Sequence, residues 1–187
     1  GMTALIRNLG VLGKVGLLVQ GAWEPINHVT ARLTDEEQLR RSRIHPIALL
    51  AALTTYGQGK GQRSDGVWPV VPDVVDALDA AFYKAFKNVE PAGRPMLLAL
   101  DVSGSMSESR INGMPYLSAR QGAAAMSMVT YKTEQKVILT AFGTEYVELD
   151  ISRASRLRDV VAITESLGMM GTDCAVPILW AIQKKIE

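Results

Sequence analysis

The stretch Glu90-Pro91-Ala92-Gly93-Arg94-Pro95 divides the sequence into two parts with different hydrophobic periods, so no single architecture accommodates both. Its two prolines lack backbone donors and fix φ, while its glycine frees φ, so neither a helix nor a central strand passes through. It reads as a short, stiff linker, residues 90–95, between a helical part, residues 2–89, and an α/β part, residues 96–187.

Before the linker, apolar residues recur at helical spacing. In "TALIRNLGVLGKVG", Leu5, Ile6, Leu9 and Leu12 share a face, and glycines weaken the end. "LTDEEQLRRS" predicts a helix with Thr34 as N-cap and Glu37 three residues on, a capping box, with acids early and arginines late to suit the helix dipole. "HPIALLAALTTYGQGKG" predicts another, with Pro46 in the first turn and a glycine cluster as its stop. His45 heads it as a capping or packing residue. "PDVVDALDAAFYKAFKNV" places Val75, Leu78, Phe82 and Phe86 on one face. Little in this part alternates with period two, and no repeat recurs at a fixed period. Pattern alone leaves a bundle and a helical solenoid both open.

After the linker the grammar changes. "MLLALD" is a continuous apolar run, as expected of a strand buried on both faces of a parallel sheet. "YLSARQGAAAMSMVTYK" predicts a helix whose Gly122, Ala123, Ala124 and Ala125 allow close packing on that sheet. "KVILTAFG" and "EYVELDI" predict two strands joined at Gly143-Thr144, and "SRLRDVVAITESL" and "VPILWAIQKKI" two further helices. This order specifies a doubly wound α/β domain. Such sheets usually hold about five or six strands, and three are counted before Glu187. The expectation is therefore a truncated domain whose missing strands belong to a longer product or to another molecule.

The formal net charge is +1, so no global field seeks polyanions, and nucleic-acid binding would need a local basic patch. Arg40, Arg41 and Arg43 cluster at a predicted helix end, and Lys60 and Arg63 lie on a glycine-rich loop; both groups suit phosphate contacts, or else a helix dipole and a solvated loop. Trp23, Trp68 and Trp180 read as core or interface residues, since no aromatic ladder for base stacking accompanies them. Cys174 is the one cysteine, which excludes an intrachain disulfide framework and leans towards a reducing compartment. No apolar run approaches the roughly 18 residues of a membrane span, and no signal-peptide core opens the chain, so a cytoplasmic location without membrane contact is expected.

Chemistry concentrates in "LALDVSGSMSESR". Asp101 ends the apolar run, and Ser103 and Ser105 follow at alternate positions in a strand-to-helix loop, where open α/β sheets bind ligands. Three oxygen donors of this type suit a hard cation, Mg²⁺ first, with Mn²⁺ and Ca²⁺ as alternatives. One carboxylate and two hydroxyls leave such an ion under-compensated, so an acidic ligand from a second loop or a partner is expected. Thr172 and Asp173, in "GMMGTDCAVP", stand where that second loop would lie. A phosphate loop would need a lysine that the first motif lacks. An aspartyl phosphotransferase would want an aspartate where Ser103 stands. A serine nucleophile would need a base, yet His28 and His45 both lie in the helical part, and no nucleophile elbow occurs. An enzyme is not expected.

The Asp101-x-Ser103-x-Ser105 motif followed by Gly171-Thr172-Asp173 resembles the metal-ion-dependent adhesion site of von Willebrand factor A domains. Together with "RIHPIALLAALTTYGQGKG", "ALDAAFYKAFKNVEPAGRPMLLALDVSGSM" and "GTDCAVPILWA", it resembles the Ro ribonucleoprotein family. There a ring of HEAT-like helical repeats, the TROVE module, leads into such a domain. The resemblance implies the last ring helices followed by the N-terminal half of an A domain. It implies metal-site roles for Asp101, Ser103, Ser105 and Thr172, with Asp173 beside them. It further implies a non-enzymatic RNA-binding protein whose partners are small structured non-coding or misfolded RNA, and an acidic residue of a protein such as an exoribonuclease. A metal-dependent protein-interaction module without RNA binding is the rival reading, and a metal-dependent phosphoryl-transfer enzyme stands behind both.

Overall fold

The computed structural model describes residues 1–61, 66–168 and 171–186. They form two compact units, Gly1–Glu90 with Gly113–Tyr116, and Pro91–Asn112 with Leu117–Glu187.

The first unit is helical: α1 (Met2–Lys14), α2 (Trp23–Thr34), α3 (Glu36–Ser42), α4 (Pro46–Gly57) and α5 (Pro72–Lys84), which tightens into a 3₁₀ turn over Ala85–Asn88. Leu9, Leu33, Leu49, Leu78 and Phe82 are essentially inaccessible to solvent, and each such side chain contributes roughly 1.5–3 kcal/mol through burial. The predicted face of α5 is rotated slightly: Val74, Ala77, Ala81 and Phe82 are buried with Leu78, whereas Val75 is only half-buried.

Helix ends follow local chemistry. The capping box expected at Thr34 and Glu37 is not formed. Thr34 closes α2, and Asp35 caps α3, its Oδ1 accepting hydrogen bonds from the amides of Glu37 (2.9 Å) and Gln38 (3.0 Å). A carboxylate one residue later satisfies the same orphan amides, which frees Glu37 for other contacts. His45 does cap α4, with Nδ1 accepting from the amide of Ile47 at 3.2 Å. Helix α2 has no counterpart in the sequence reading, because Trp23, Glu24 and Pro25 open it without a side-chain cap. Its Trp23 is 66% exposed and so is not a core residue of this unit, whereas Trp68 is buried.

The glycines of α1 turn out to be packing residues. A Cβ on Gly10 would lie 2.7 Å from ring atoms of Trp68, and one on Gly13 would lie 2.9 Å from the Trp68 Cβ. The Trp68 indole donates from Nε1 to the Tyr56 carbonyl at 3.1 Å, so the ring is held from both sides.

The second unit has a three-stranded sheet in the order β1 (Met96–Asp101), β4 (Val137–Phe142), β5 (Tyr146–Glu148). β1 and β4 are parallel, with Met96 opposite Val137 and Asp101 opposite Phe142; β5 returns antiparallel to β4. Helix α7 (Ala119–Thr133) makes the crossover, and α8 (Leu157–Ser166) and α9 (Val176–Gln183) follow the sheet. Between β1 and α7 lie α6 (Gly104–Glu108) and two short strands, β2 (Arg110–Ile111) and β3 (Met114–Ser118), paired apart from the main sheet. These strands replace the start of the helix predicted from Tyr116. Asn112-Gly113 forms their turn, with Gly113 at φ +77°, and Ser118 caps α7 in a capping box with Gln121.

β4 is buried from Leu139 to Phe142, but β1 is half-buried except at Leu100, not enclosed on both faces as expected. Among the described residues β1 pairs on one edge only, so no neighbouring strand adds side chains beside its own on the other edge.

Two anchors fix the ends of these elements. The buried Glu134 carboxylate accepts hydrogen bonds from the amides of Ala92 and Gly93, the latter at 3.0 Å. The Arg153 guanidinium donates to the carbonyls of Tyr131, Glu134 and Gln135, satisfying acceptors at and just beyond the end of α7.

Candidate functional site

Asp101 is the last residue of β1. Its Oδ1 accepts a hydrogen bond from the Ser103 amide at 2.8 Å, which folds the backbone back as an Asx turn. The Val102 amide donates to the Phe142 carbonyl at 2.9 Å, so the loop starts from the carboxyl ends of both parallel strands.

Ser103 is the N-cap of α6, with φ −62° and ψ 159°, yet its side chain makes no capping hydrogen bond. Its buried hydroxyl lies instead 3.2 Å from the exposed Ser105 hydroxyl. A serine serving only as a cap would accept from the second or third amide of the helix. The two Oγ atoms are thus gathered beside each other, and the Ser103 hydroxyl is not used as a cap.

Gly171-Thr172-Asp173 reaches the same sheet edge. The Asp173 amide donates to the Gly143 carbonyl at 2.9 Å, directly after Phe142, the partner of Asp101. A Cβ on Gly171 would lie 3.2 Å from Thr144 Cγ2, so only a small residue passes here comfortably. Thr172 is exposed, and the Asp173 Oδ1 accepts from the Ala175 amide at 2.9 Å, shaping the turn into α9. The structure therefore puts Asp101, Ser103 and Ser105 at and just after the end of β1, and ties the loop of Thr172 and Asp173 by one backbone hydrogen bond to the residue after β4.

Among the described residues no three His, Cys, Asp or Glu side chains cluster as a metal cage. The donors on this edge are hydroxyls with a carboxylate, a set that fits a hard divalent cation and is wrong for zinc or copper.

A residue invisible to the sequence reading lies beneath the first loop. Arg120, in the first turn of α7, is 3% exposed. It donates from Nη2 to the carbonyls of Val102 and Ser103, the latter at 3.0 Å, and from Nη1 to the carbonyl of Thr164 at 3.1 Å. The available signal was one charged residue on a helix face continued by Ala124 and Met128.

The basic residues are placed less favourably. Arg40 donates to both Glu37 carboxylate oxygens, at 2.9 and 2.8 Å, and Arg41 donates to one at 2.7 Å. Those hydrogen bonds hold the exposed Glu37 carboxyl down at about 2. Arg43 ends α3 in the left-handed region at φ 48°. Lys60 is exposed, its Nζ 6.0 Å from the centre of the Tyr116 ring. Arg63 lies outside the described residues.

A helical segment leading into an α/β domain, with Asp-x-Ser-x-Ser at the end of its first strand, defines a helical module joined to a von Willebrand A-type domain. The sequence matches the Ro60 vWA domain over residues 95–187 and the TROVE domain over residues 1–55. The chain belongs to the Ro family. It is 44% identical over 187 residues to the RNA-binding protein RO60 of Deinococcus radiodurans, covering 100% of this chain and 35% of that protein. It is 41% identical over 186 residues to the RNA-binding protein RO60 of Caenorhabditis elegans, covering 100% of this chain and 28% of that one. The crystal structure of the Deinococcus radiodurans RO (RSR) protein matches with a TM-score of 0.91 and 42% sequence identity, over 100% of this chain and 38% of that chain. The chain thus spans about a third of the length of these relatives.

Proposed function

We propose that this chain contributes to a non-enzymatic RNA-binding protein of the Ro type, which takes small structured non-coding or misfolded RNA. The observation that carries this reading is similarity along the whole of this chain to about a third of two proteins named for RNA binding. The surface proposed for phosphate contact is the end of α3, with Arg40, Arg41 and Arg43, and the connection carrying Lys60 and Arg63. Contacts of this kind position RNA without reading its bases. Titration of a fluorescent structured RNA at low salt, about 50 mM, is expected to give binding that weakens steeply towards about 200 mM. Replacing Arg40, Arg41 and Arg43 by Ala is expected to weaken it further and flatten the salt slope. Absence of binding at low salt ends the reading.

The A-type unit is proposed to hold one divalent cation, Mg²⁺ first, with Mn²⁺ or Ca²⁺ as alternatives. Asp101, Ser103, Ser105 and Thr172 would supply oxygens, with Asp173 beside them. The neighbouring Ser103 and Ser105 hydroxyls favour this reading. An ion there would supply positive charge for an acidic residue of a protein partner, which is also how a protein-interaction module without RNA binding would work. Mn²⁺ uptake, followed by electron paramagnetic resonance of the free ion, is expected to fall at least tenfold in the double variant Ser103→Ala, Ser105→Ala. Equal uptake by the variant rules the site out.

A further inference from the structure

A buried arginine normally meets a carboxylate, because a guanidinium remains charged at every physiological pH and its desolvation is severe. Arg120 meets none. Its Nη1 and Nη2 donate to three backbone carbonyls, while its Nε is a buried donor without an acceptor among the described residues. Packing alone does not explain such a side chain, since an apolar residue of similar volume would avoid the desolvation.

The identity of the three acceptors supplies a reason. Val102 and Ser103 lie within the Asp101-x-Ser103-x-Ser105 turn. Asp101 holds the Ser103 amide while Arg120 holds the Ser103 carbonyl, so both peptide planes flanking the Ser103 side chain are fixed. The third acceptor, Thr164, is fully buried in the last turn of α8, where carbonyls lack helical partners. Helix α8 leads through Gly168, at φ +79°, towards Gly171-Thr172-Asp173. One side chain therefore joins the loop carrying the first donors to the helix that launches the second.

We propose that Arg120 is a positioning residue that locks the two halves of the A-type site in register, acting through backbone carbonyls. This rests on the divalent-cation reading of that edge for its purpose, but its geometry is testable without a metal. The flat guanidinium reaches three carbonyls in fixed directions; a lysine ammonium keeps the charge without the fork.

The test compares the 187-residue chain with its Arg120→Lys variant by amide hydrogen exchange and Mn²⁺ binding. The expected result is faster exchange at the Ser103 and Asp173 amides together, with Ala99 and Thr140 in the sheet unchanged, and Mn²⁺ affinity lowered roughly 10–100-fold. Unchanged protection at either Ser103 or Asp173 overturns the proposal, and so does uniform loss of protection that includes the sheet, which marks a purely structural residue. If the unaltered chain takes up no Mn²⁺, the cation reading fails, while exchange at the two amides still decides the role of Arg120. Should the lysine variant not fold, Arg120→Met, which fills the space without a buried charge, undergoes the same comparison.

Discussion

Glu37 shows how one residue changes the meaning of its neighbours. From spacing alone it belongs to a capping box. Because Asp35 takes the capping role, Glu37 binds Arg40 and Arg41 instead. The arginines that suit phosphate contact are thus partly neutralised by a carboxylate of their own helix. Glu37→Gln is therefore expected to raise RNA affinity a few-fold at low salt, whereas the arginine replacements lower it; equal or weaker binding by the glutamine variant would show that this end of α3 faces no phosphate. The sign of the pH dependence follows from the lowered carboxyl. Its charged form, and hence the pairing, is fully present above the ordinary glutamate range and is lost only as pH falls through about 2. RNA binding measured between about pH 6 and 8 should show no titration of Glu37. That Asp101 ends a strand and Ser103 opens the turn after it was legible because the signal is local, an apolar run ending in alternating polar residues. Arg120 was not, because its acceptors are backbone carbonyls, which every sequence supplies and none advertises.

Helix α1 illustrates the same limit for a whole element. Its apolar spacing reveals the helix, but Gly10 and Gly13 read as weak points, since glycine costs about 1 kcal/mol against alanine in a helix interior. The structure uses them as a seat for the indole of Trp68, which Tyr56 fixes by accepting its Nε1–H and stacking at 6.3 Å between ring centres. Gly10→Ala is expected to lower stability despite the gain in propensity, because displacing a held ring costs roughly 1–3 kcal/mol. A denaturant midpoint that rises would contradict this packing account. Elements with a strong period were readable, among them α4, α5, β1 and β4. Helix α2 lacked a capping signal, and β2 and β3 are too short for periodicity, although Asn112-Gly113 between them is a dipeptide typical of hairpin turns.

Over the whole chain, the order of helices and strands was readable because the hydrophobic period changes at residues 90–95, where the prolines forbid either structure. What escaped was long-range. The grouping of Gly113–Tyr116 with the helical unit has no local signature. The hydrogen bond from the Asp173 amide to the Gly143 carbonyl, and the pairing of Asp101 with Phe142 one residue earlier, depend on strand order and long-range folding that no local spacing encodes. The grip of Glu134 on Ala92 and Gly93 is likewise formed across some forty residues of sequence. It also decides how a pull on the linker would be borne. Tension applied ahead of Ala92 meets a buried carboxylate at the end of α7 before it reaches Met96. The load therefore passes first into the helix end clamped by Arg153, and the β1 ladder beneath Asp101 is strained only after that anchor gives way.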